Sequence, residues 1–219
     1  MEETLLKAAK KDVSARQEYL NLLAETHIEY CTRIIYDPNR KMTIEFIKEE
    51  LLKLNFSEDK INNALKNAYG ISGKYTAGIG LATKLIGKIK EMPLFVGERL
   101  FEQDYIPQEI ELVLREHEAE HIKQQIKGFR YIDNDELFKA LNKNQIDSRT
   151  LLHIAEIEAN ERTINQIRSG KYNIGNPFII DTYKNFDSSK KYFEIVHDYS
   201  TEMEKHFINA VLKKVNITS

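Results

Sequence analysis

Hydrophobic residues in the first part of the chain recur at helical spacing. Apolar residues between Leu5 and Leu23, with Val13 and Tyr19 among them, recur at roughly helical spacing, a pattern that favours amphipathic helices. The Asp-Pro-Asn sequence at 37–39 marks a turn, and a second amphipathic helix starts at Thr43. Ser57 caps a third helix, which ends near Gly70. We therefore predict a helical N-terminal region over residues 1–70 and a separate domain over 71–219.

The pattern changes where the glycines concentrate, because six of the nine glycines lie between Gly70 and Gly97. Three short segments, 75–81, 85–90 and 93–101, alternate apolar with small or polar residues. Such segments predict a small antiparallel meander. A helix over 76–90 is the rival interpretation, but Gly78, Gly80 and Gly87 weaken it. Strands are favoured.

Helical spacing returns after residue 106 and continues to the end of the chain. Pro107 suits the first position of a helix, which runs to about Lys127 and is ended by Gly128. Further helices are predicted to start at Asp133 and at Asp147, and the last helix spans about 188–215. The predicted fold is α+β and mostly helical, with a small antiparallel sheet ahead of the 107–127 helix.

Composition narrows the classes of function. The 219 residues carry a net charge of −2, which argues against binding nucleic acid through bulk charge. Cys31 is the only cysteine, so the chain has neither an internal disulfide nor a cysteine zinc knuckle, as expected in a reducing compartment. The first residues have no signal-peptide core, and no run of about 18 apolar residues marks a membrane span. We therefore expect a cytoplasmic protein.

The most specific chemical feature is the sequence His-Glu-Ala-Glu-His at residues 117–121. On a helix, the four-residue spacing puts the imidazoles of His117 and His121 on one face, where both reach a single metal ion. Glu118 lies beside these ligands and is placed to act on a metal-bound water. The pattern is typical of zinc hydrolases, in which the metal lowers the pKa of water and a carboxylate takes its proton.

Three charged residues depart from the usual surroundings of such a motif. Arg115 and Glu116 precede it, and Glu120 lies inside it. A buried charge is costly unless it is paired. We therefore expect either that this helix is less buried than is normal or that the three charges point outward. The rival interpretation of the whole motif is a solvated helix rich in glutamate and histidine.

A second helix offers a third ligand. A catalytic zinc requires three protein ligands and one open position. Glu156 and Asn160 are four residues apart, so they share a helix face, and Asn160 is suited to accept the outer N–H of a ligand histidine. Glu158 and Glu161 remain alternatives as the third ligand. A charged helix face stabilised by local pairs is the simpler interpretation of this segment.

Together these residues resemble the gluzincin metallopeptidases, which have H-E-x-x-H followed by E-x-x-x-(D/N) on a second helix. The ImmA/IrrE-like peptidases are the most similar in appearance, with a second motif E-x-E-A-N-x-F-A. Residues 156–163 here read EIEANERT, which matches through Asn160 and then departs at Arg162 and Thr163. The resemblance covers about residues 70–170.

The resemblance implies a zincin-like core that hydrolyses a peptide bond in a protein or peptide substrate. It implies zinc on His117, His121 and Glu156, with Glu118 as general base and Asn160 behind the ligands. It also implies that the strand at 94–101 receives the substrate by edge pairing. A donor to the transition state is expected as well, and the candidates by residue type are Tyr172, Tyr183, His153 and His197.

Two other classes of protein remain open. Glu118–His121 and Glu194–His197 are both E-x-x-H sequences, and with Glu161 they suggest a ferritin-like four-helix bundle holding two iron or manganese ions. Against this, Glu194 lies off the apolar face of its helix, and no acidic residue falls between 76 and 90. The third alternative is a non-catalytic helical interaction protein. Metal content distinguishes it from the other two.

Overall fold

The computed structural model describes residues 2–69, 77–78, 83–184 and 201–215. The chain divides into two compact units, Met1–Lys127 and Gly128–Ser219. Within the described residues the protein is mostly helical with one small sheet, which confirms the predicted α+β class at this level. The predicted border at Gly70 falls outside the described residues.

The first unit combines the sheet with seven α-helices among its described residues. Their order in the chain is α1 (Glu2–Lys11), α2 (Ser14–Ala24), β1 (Cys31–Tyr36), α3 (Lys41–Lys53), α4 (Glu58–Tyr69), β2 (Ala77–Gly78), β3 (Met92–Val96), α5 (Arg99–Glu102), α6 (Pro107–Leu112) and α7 (Ala119–Lys127). A 3-10 turn, Thr83–Leu85, precedes β3, and a π-helical segment, Val113–Glu118, joins α6 to α7. All five residues of β3 are buried.

The sheet is mixed and not antiparallel as predicted. Its order is β1-β3-β2, with β1 parallel to β3 and β2 antiparallel to β3. The prediction of a middle strand over residues 85–90 is wrong. This segment forms the end of the 3-10 turn and a further turn, in which Gly87 has φ +71°. That backbone conformation suits glycine and breaks an extended strand.

Strand β1 was not predicted, because residues 1–70 were interpreted as helical throughout. Its sequence, CTRIIY, is rich in β-branched and aromatic residues and ends at the turn around Asp37, which is the signal that would have indicated a strand. The Asp37 carboxylate then accepts the backbone N–H of Thr43 at 2.8 Å, and this bond caps α3.

Strand β3 lies in the centre of the sheet, so the prediction that the 94–101 strand is a free edge for substrate is wrong. Ile34, Ile35 and Tyr36 of β1 pair with Leu94, Phe95 and Val96 on one side, and β2 pairs with Phe95 and Val96 on the other. Residues 99–102 form α5 instead of continuing the strand. On the other side of β1, the Gln17 side chain donates to the Ile34 carbonyl and accepts the Tyr36 N–H, so it satisfies two backbone groups of that edge.

The predicted helix over 107–127 is present, but it is not a uniform α-helix. It begins at Pro107, and the Glu109 carboxylate accepts the N–H of Ile106 at 3.0 Å. Within the π-helical segment, the Ala119 N–H donates to the carbonyl of Leu114, five residues earlier. Gly128, with φ +85°, follows the last residue of α7. Short π-helical insertions are frequent at functional sites.

The second unit is helical in its described part. Its elements are α8 (Asn134–Asn142), α9 (Ser148–Arg168), α10 (Pro177–Ile179), a second π-helical segment (Ile180–Lys184) and α11 (Glu202–Lys214). The predicted caps are confirmed: Asp133 accepts the N–H of Glu136, and Asp147 accepts that of Thr150. Of the predicted last helix, residues 188–200 lie outside the described part.

Phe207, Ile208 and Val211 of α11 are buried, as are many residues of α9. These two helices pack against each other to form the core of this unit. None of the helices in the described part of the chain has the length and apolar character that a membrane crossing requires.

Candidate metal centre

His117 and His121 lie one turn apart in the helix that spans the π-helical segment and α7. Both side chains are buried, and their rings are perpendicular with centroids 4.8 Å apart. The two Nε2 atoms lie 3.3 Å from each other. The rings therefore direct the same nitrogen to one point, as the motif predicts for a pair of metal ligands.

Gln124, which was not predicted from the sequence, contacts the ring of His121. The Nδ1 atom of His121 lies 2.8 Å from the Oε1 atom of Gln124, one turn further along α7. Both side chains are buried. Because an amide oxygen only accepts hydrogen bonds, this contact is a hydrogen bond in the tautomer that carries its hydrogen on Nδ1. The signal in the sequence was a glutamine three residues after a candidate ligand histidine, on the same helix face.

Glu118 is the last residue of the π-helical segment and follows His117 directly. Its side chain is buried, at 6% exposure. A buried carboxylate next to a candidate ligand histidine fits a group that exchanges a proton with a reacting water, since bulk water does not compete for it. Its assignment as general base remains a prediction.

The expectation about the three unusual charges is wrong for two of them. Glu116 and Glu120 are 2% and 1% exposed, so they do not point outward and the helix is deeply buried. Arg115 is only partly buried and is well bonded: its guanidinium donates to the carbonyls of Leu23 and Thr26. These acceptors lie at the end of α2, where a cation satisfies the last carbonyls of a helix.

Two of the three glutamates proposed as third ligand are occupied by other bonds. The Glu158 carboxylate is fully buried and accepts the backbone N–H groups of Arg130 and Tyr131 at 3.0 Å. The Glu161 carboxylate accepts from the Arg130 guanidinium, the Tyr131 hydroxyl and Asn165. Burial raises the pKa of Tyr131, while the charge of Arg130 opposes that rise. Both glutamates thus hold the loop before α8 on α9.

Glu156 lies on the same helix, partly buried, and Asn160 follows it one turn later with 5% exposure. Glu156 as the third metal ligand, beside His117 and His121, remains a prediction. Asn160 was predicted to hydrogen-bond the outer ring nitrogen of a ligand histidine. For His121, the residue at that nitrogen is Gln124. Asn160 as the partner of a ligand histidine remains a prediction.

The candidates for a transition-state donor have different placements. Tyr172 and Tyr183 are buried, and His153 is partly buried. His197 lies outside the described residues, as does Glu194, so the second E-x-x-H sequence of the di-metal alternative is not described either.

Comparison with known protein families, with curated proteins and with solved structures finds no match to this chain.

Proposed function

We propose that this protein is a zinc-dependent metallopeptidase that hydrolyses a peptide bond in a protein or peptide substrate. The observation that carries the proposal is the 3.3 Å separation of the Nε2 atoms of His117 and His121. Zinc–nitrogen bonds of about 2.0–2.1 Å at a tetrahedral angle put two ligand nitrogens about 3.3–3.4 Å apart. The two imidazoles therefore fit one zinc ion without a change in their positions.

The donor set also favours zinc over the hard cations. Two imidazoles with one carboxylate form a ligand set of catalytic zinc sites, whereas magnesium and calcium prefer oxygen ligands alone. Glu156 is proposed as the third ligand for two reasons. It is the glutamate that stands four residues before Asn160 in the E-x-x-x-(D/N) sequence, and the carboxylates of Glu158 and Glu161 serve the loop at 130–131.

Bound by these residues, a zinc ion would supply a Lewis acid and would lower the pKa of water to near neutrality. The chain supplies the proton transfers. Glu118 accepts a proton from the attacking water and passes it to the nitrogen of the leaving amine, as a general base and then a general acid. Its buried position limits exchange of that proton with bulk water.

The proposed activity is tested with a mixture of unstructured peptides and the zinc-loaded protein, using Glu118→Gln as the matched control. The glutamine keeps the size of the side chain but does not accept the proton. We expect peptide cleavage by the wild type, a loss of at least about 100-fold in the variant and equal zinc content in both. A zinc-loaded wild type that leaves every peptide intact, or a variant that is equally active, would contradict the proposal.

A further inference from the structure

Gln124 stands out among the buried polar residues of the first unit because its partner is a candidate metal ligand. It lies on α7 three residues after His121, with only 1% of its surface exposed. The Oε1 atom is 2.8 Å from the Nδ1 atom of the His121 ring. This distance corresponds to a well-formed hydrogen bond.

The chemistry of the two groups decides which ring nitrogen carries the hydrogen. A neutral imidazole has one N–H donor and one nitrogen with a lone pair, and its partner determines which is which. Since the amide oxygen of Gln124 only accepts, His121 has its hydrogen on Nδ1 and its lone pair on Nε2. The Nε2 atom is the one that faces His117, at 3.3 Å.

We propose that Gln124 is a positioning residue that fixes both the orientation of His121 and its tautomer, so that Nε2 is ready to bind a metal ion. The role of Gln124 in metal binding rests on the proposed function of the protein as a zinc enzyme. The structural part of the proposal, the hydrogen bond between Gln124 and His121, does not depend on that function. Groups that hold a ligand histidine in this way contribute about 10- to 100-fold to metal affinity.

The next residue, Gln125, provides a matched control. It has the same chemistry and the same 1% exposure, but the helical rotation of about 100° per residue turns its side chain away from the direction of Gln124. Replacing either glutamine with methionine keeps an unbranched side chain of similar length and removes the amide. A general cost of losing a buried amide should therefore appear in both variants.

The first experiment measures the tautomer of His121 by ¹⁵N NMR in the metal-free protein, for the wild type and for Gln124→Met, Gln124→Glu and Gln125→Met. We expect the hydrogen on Nδ1 in the wild type, in Gln124→Glu, whose carboxylate is also an acceptor, and in Gln125→Met. In Gln124→Met we expect a mixture of the two tautomers. An unchanged tautomer in Gln124→Met would overturn the proposal.

The second experiment measures zinc affinity by competition with a chelator in the same four proteins. Gln124→Met should bind zinc about 10- to 100-fold more weakly than the wild type, while Gln124→Glu and Gln125→Met should remain near it. Equal losses in both methionine variants would contradict a specific role for Gln124. A tautomer that depends on Gln124 in a protein that binds no zinc would support the structural part and contradict the proposed function.

Discussion

The carboxylate of Glu158 accepts the backbone N–H of Tyr131 at 3.0 Å, in a position with no exposure to solvent. A second bond, from the Arg130 N–H, uses the same oxygen. Glu156 lies on the same helix only two residues away, and it is the glutamate that we propose as a metal ligand. Two neighbouring glutamates of α9 therefore have different roles, one in the fold and one in the proposed chemistry.

These different roles predict that substituting Glu156 lowers zinc affinity, whereas substituting Glu158 lowers the free energy of unfolding. Glu156→Ala should weaken zinc binding at least about 10-fold, because it removes a ligand, with little effect on the free energy of unfolding in the absence of metal. Glu158→Ala should lower that free energy by about 2–4 kcal/mol, because two buried N–H groups lose a charged acceptor. Chelator competition and denaturant titration measure the two quantities. A loss of zinc affinity in Glu158→Ala but not in Glu156→Ala would show that Glu156 is the wrong ligand.

A second prediction concerns Gly128, the glycine that follows α7. Gly128 has φ +85°, and a Cβ atom there would overlap the side-chain amide of Asn134. That amide is fixed, since its oxygen accepts the N–H of Phe129 and its nitrogen donates to the Phe129 carbonyl. Gly128→Ala should lower the free energy of unfolding by about 2–4 kcal/mol, the sum of backbone strain and weakened hydrogen bonds.

Gly175 is the control for this substitution, because it has no positive φ and no atom within 4 Å of an added Cβ. Gly175→Ala should change stability by no more than about 0.5 kcal/mol. Denaturant titrations of both variants check the pair. Equal effects at the two glycines would show that the backbone at Gly128 is not constrained as described.

A third prediction concerns Tyr105, whose ionisation should lower the free energy of unfolding at alkaline pH. Burial, with a smaller effect from the charge of Glu109, raises the pKa of Tyr105 to about 12, against about 10 in an unfolded chain. Between these values the unfolded state loses the proton and the folded state keeps it. The contribution of Tyr105 to the free energy of unfolding is therefore fully present below pH 10 and is lost as the pH rises through 12.

The measurement compares the free energy of unfolding of the wild type and Tyr105→Phe across this range. Phenylalanine does not ionise, so the difference, wild type minus variant, should decrease steadily from pH 10 to pH 12. A difference that stays constant with pH would contradict the raised pKa of Tyr105.

Features encoded within one or two helical turns were predictable from the sequence. The caps at Asp133 and Asp147 and the shared face of His117 and His121 depend on residues three or four positions apart, and the structure has them. The helix end at Gly128 is of the same kind, because a glycine with positive φ needs no distant partner.

Features that depend on distant contacts were not predictable in this way. Strand β1 pairs with β3 about 60 residues later, and only this pairing makes the sheet mixed and β3 its centre. The burial of Glu116 and Glu120 likewise depends on what surrounds the helix and not on helix periodicity. Gln124 differs from these, since its spacing from His121 was visible but a glutamine alone carries no motif.

The central claim is that His117, His121 and Glu156 hold one zinc ion. Elemental analysis of the purified, untagged protein after zinc reconstitution tests it most directly, beside His121→Ala. We predict about one zinc per chain in the wild type and a loss of that zinc in the variant. About two iron or manganese ions per chain, or no bound metal, or zinc that the variant retains in full, would contradict the claim.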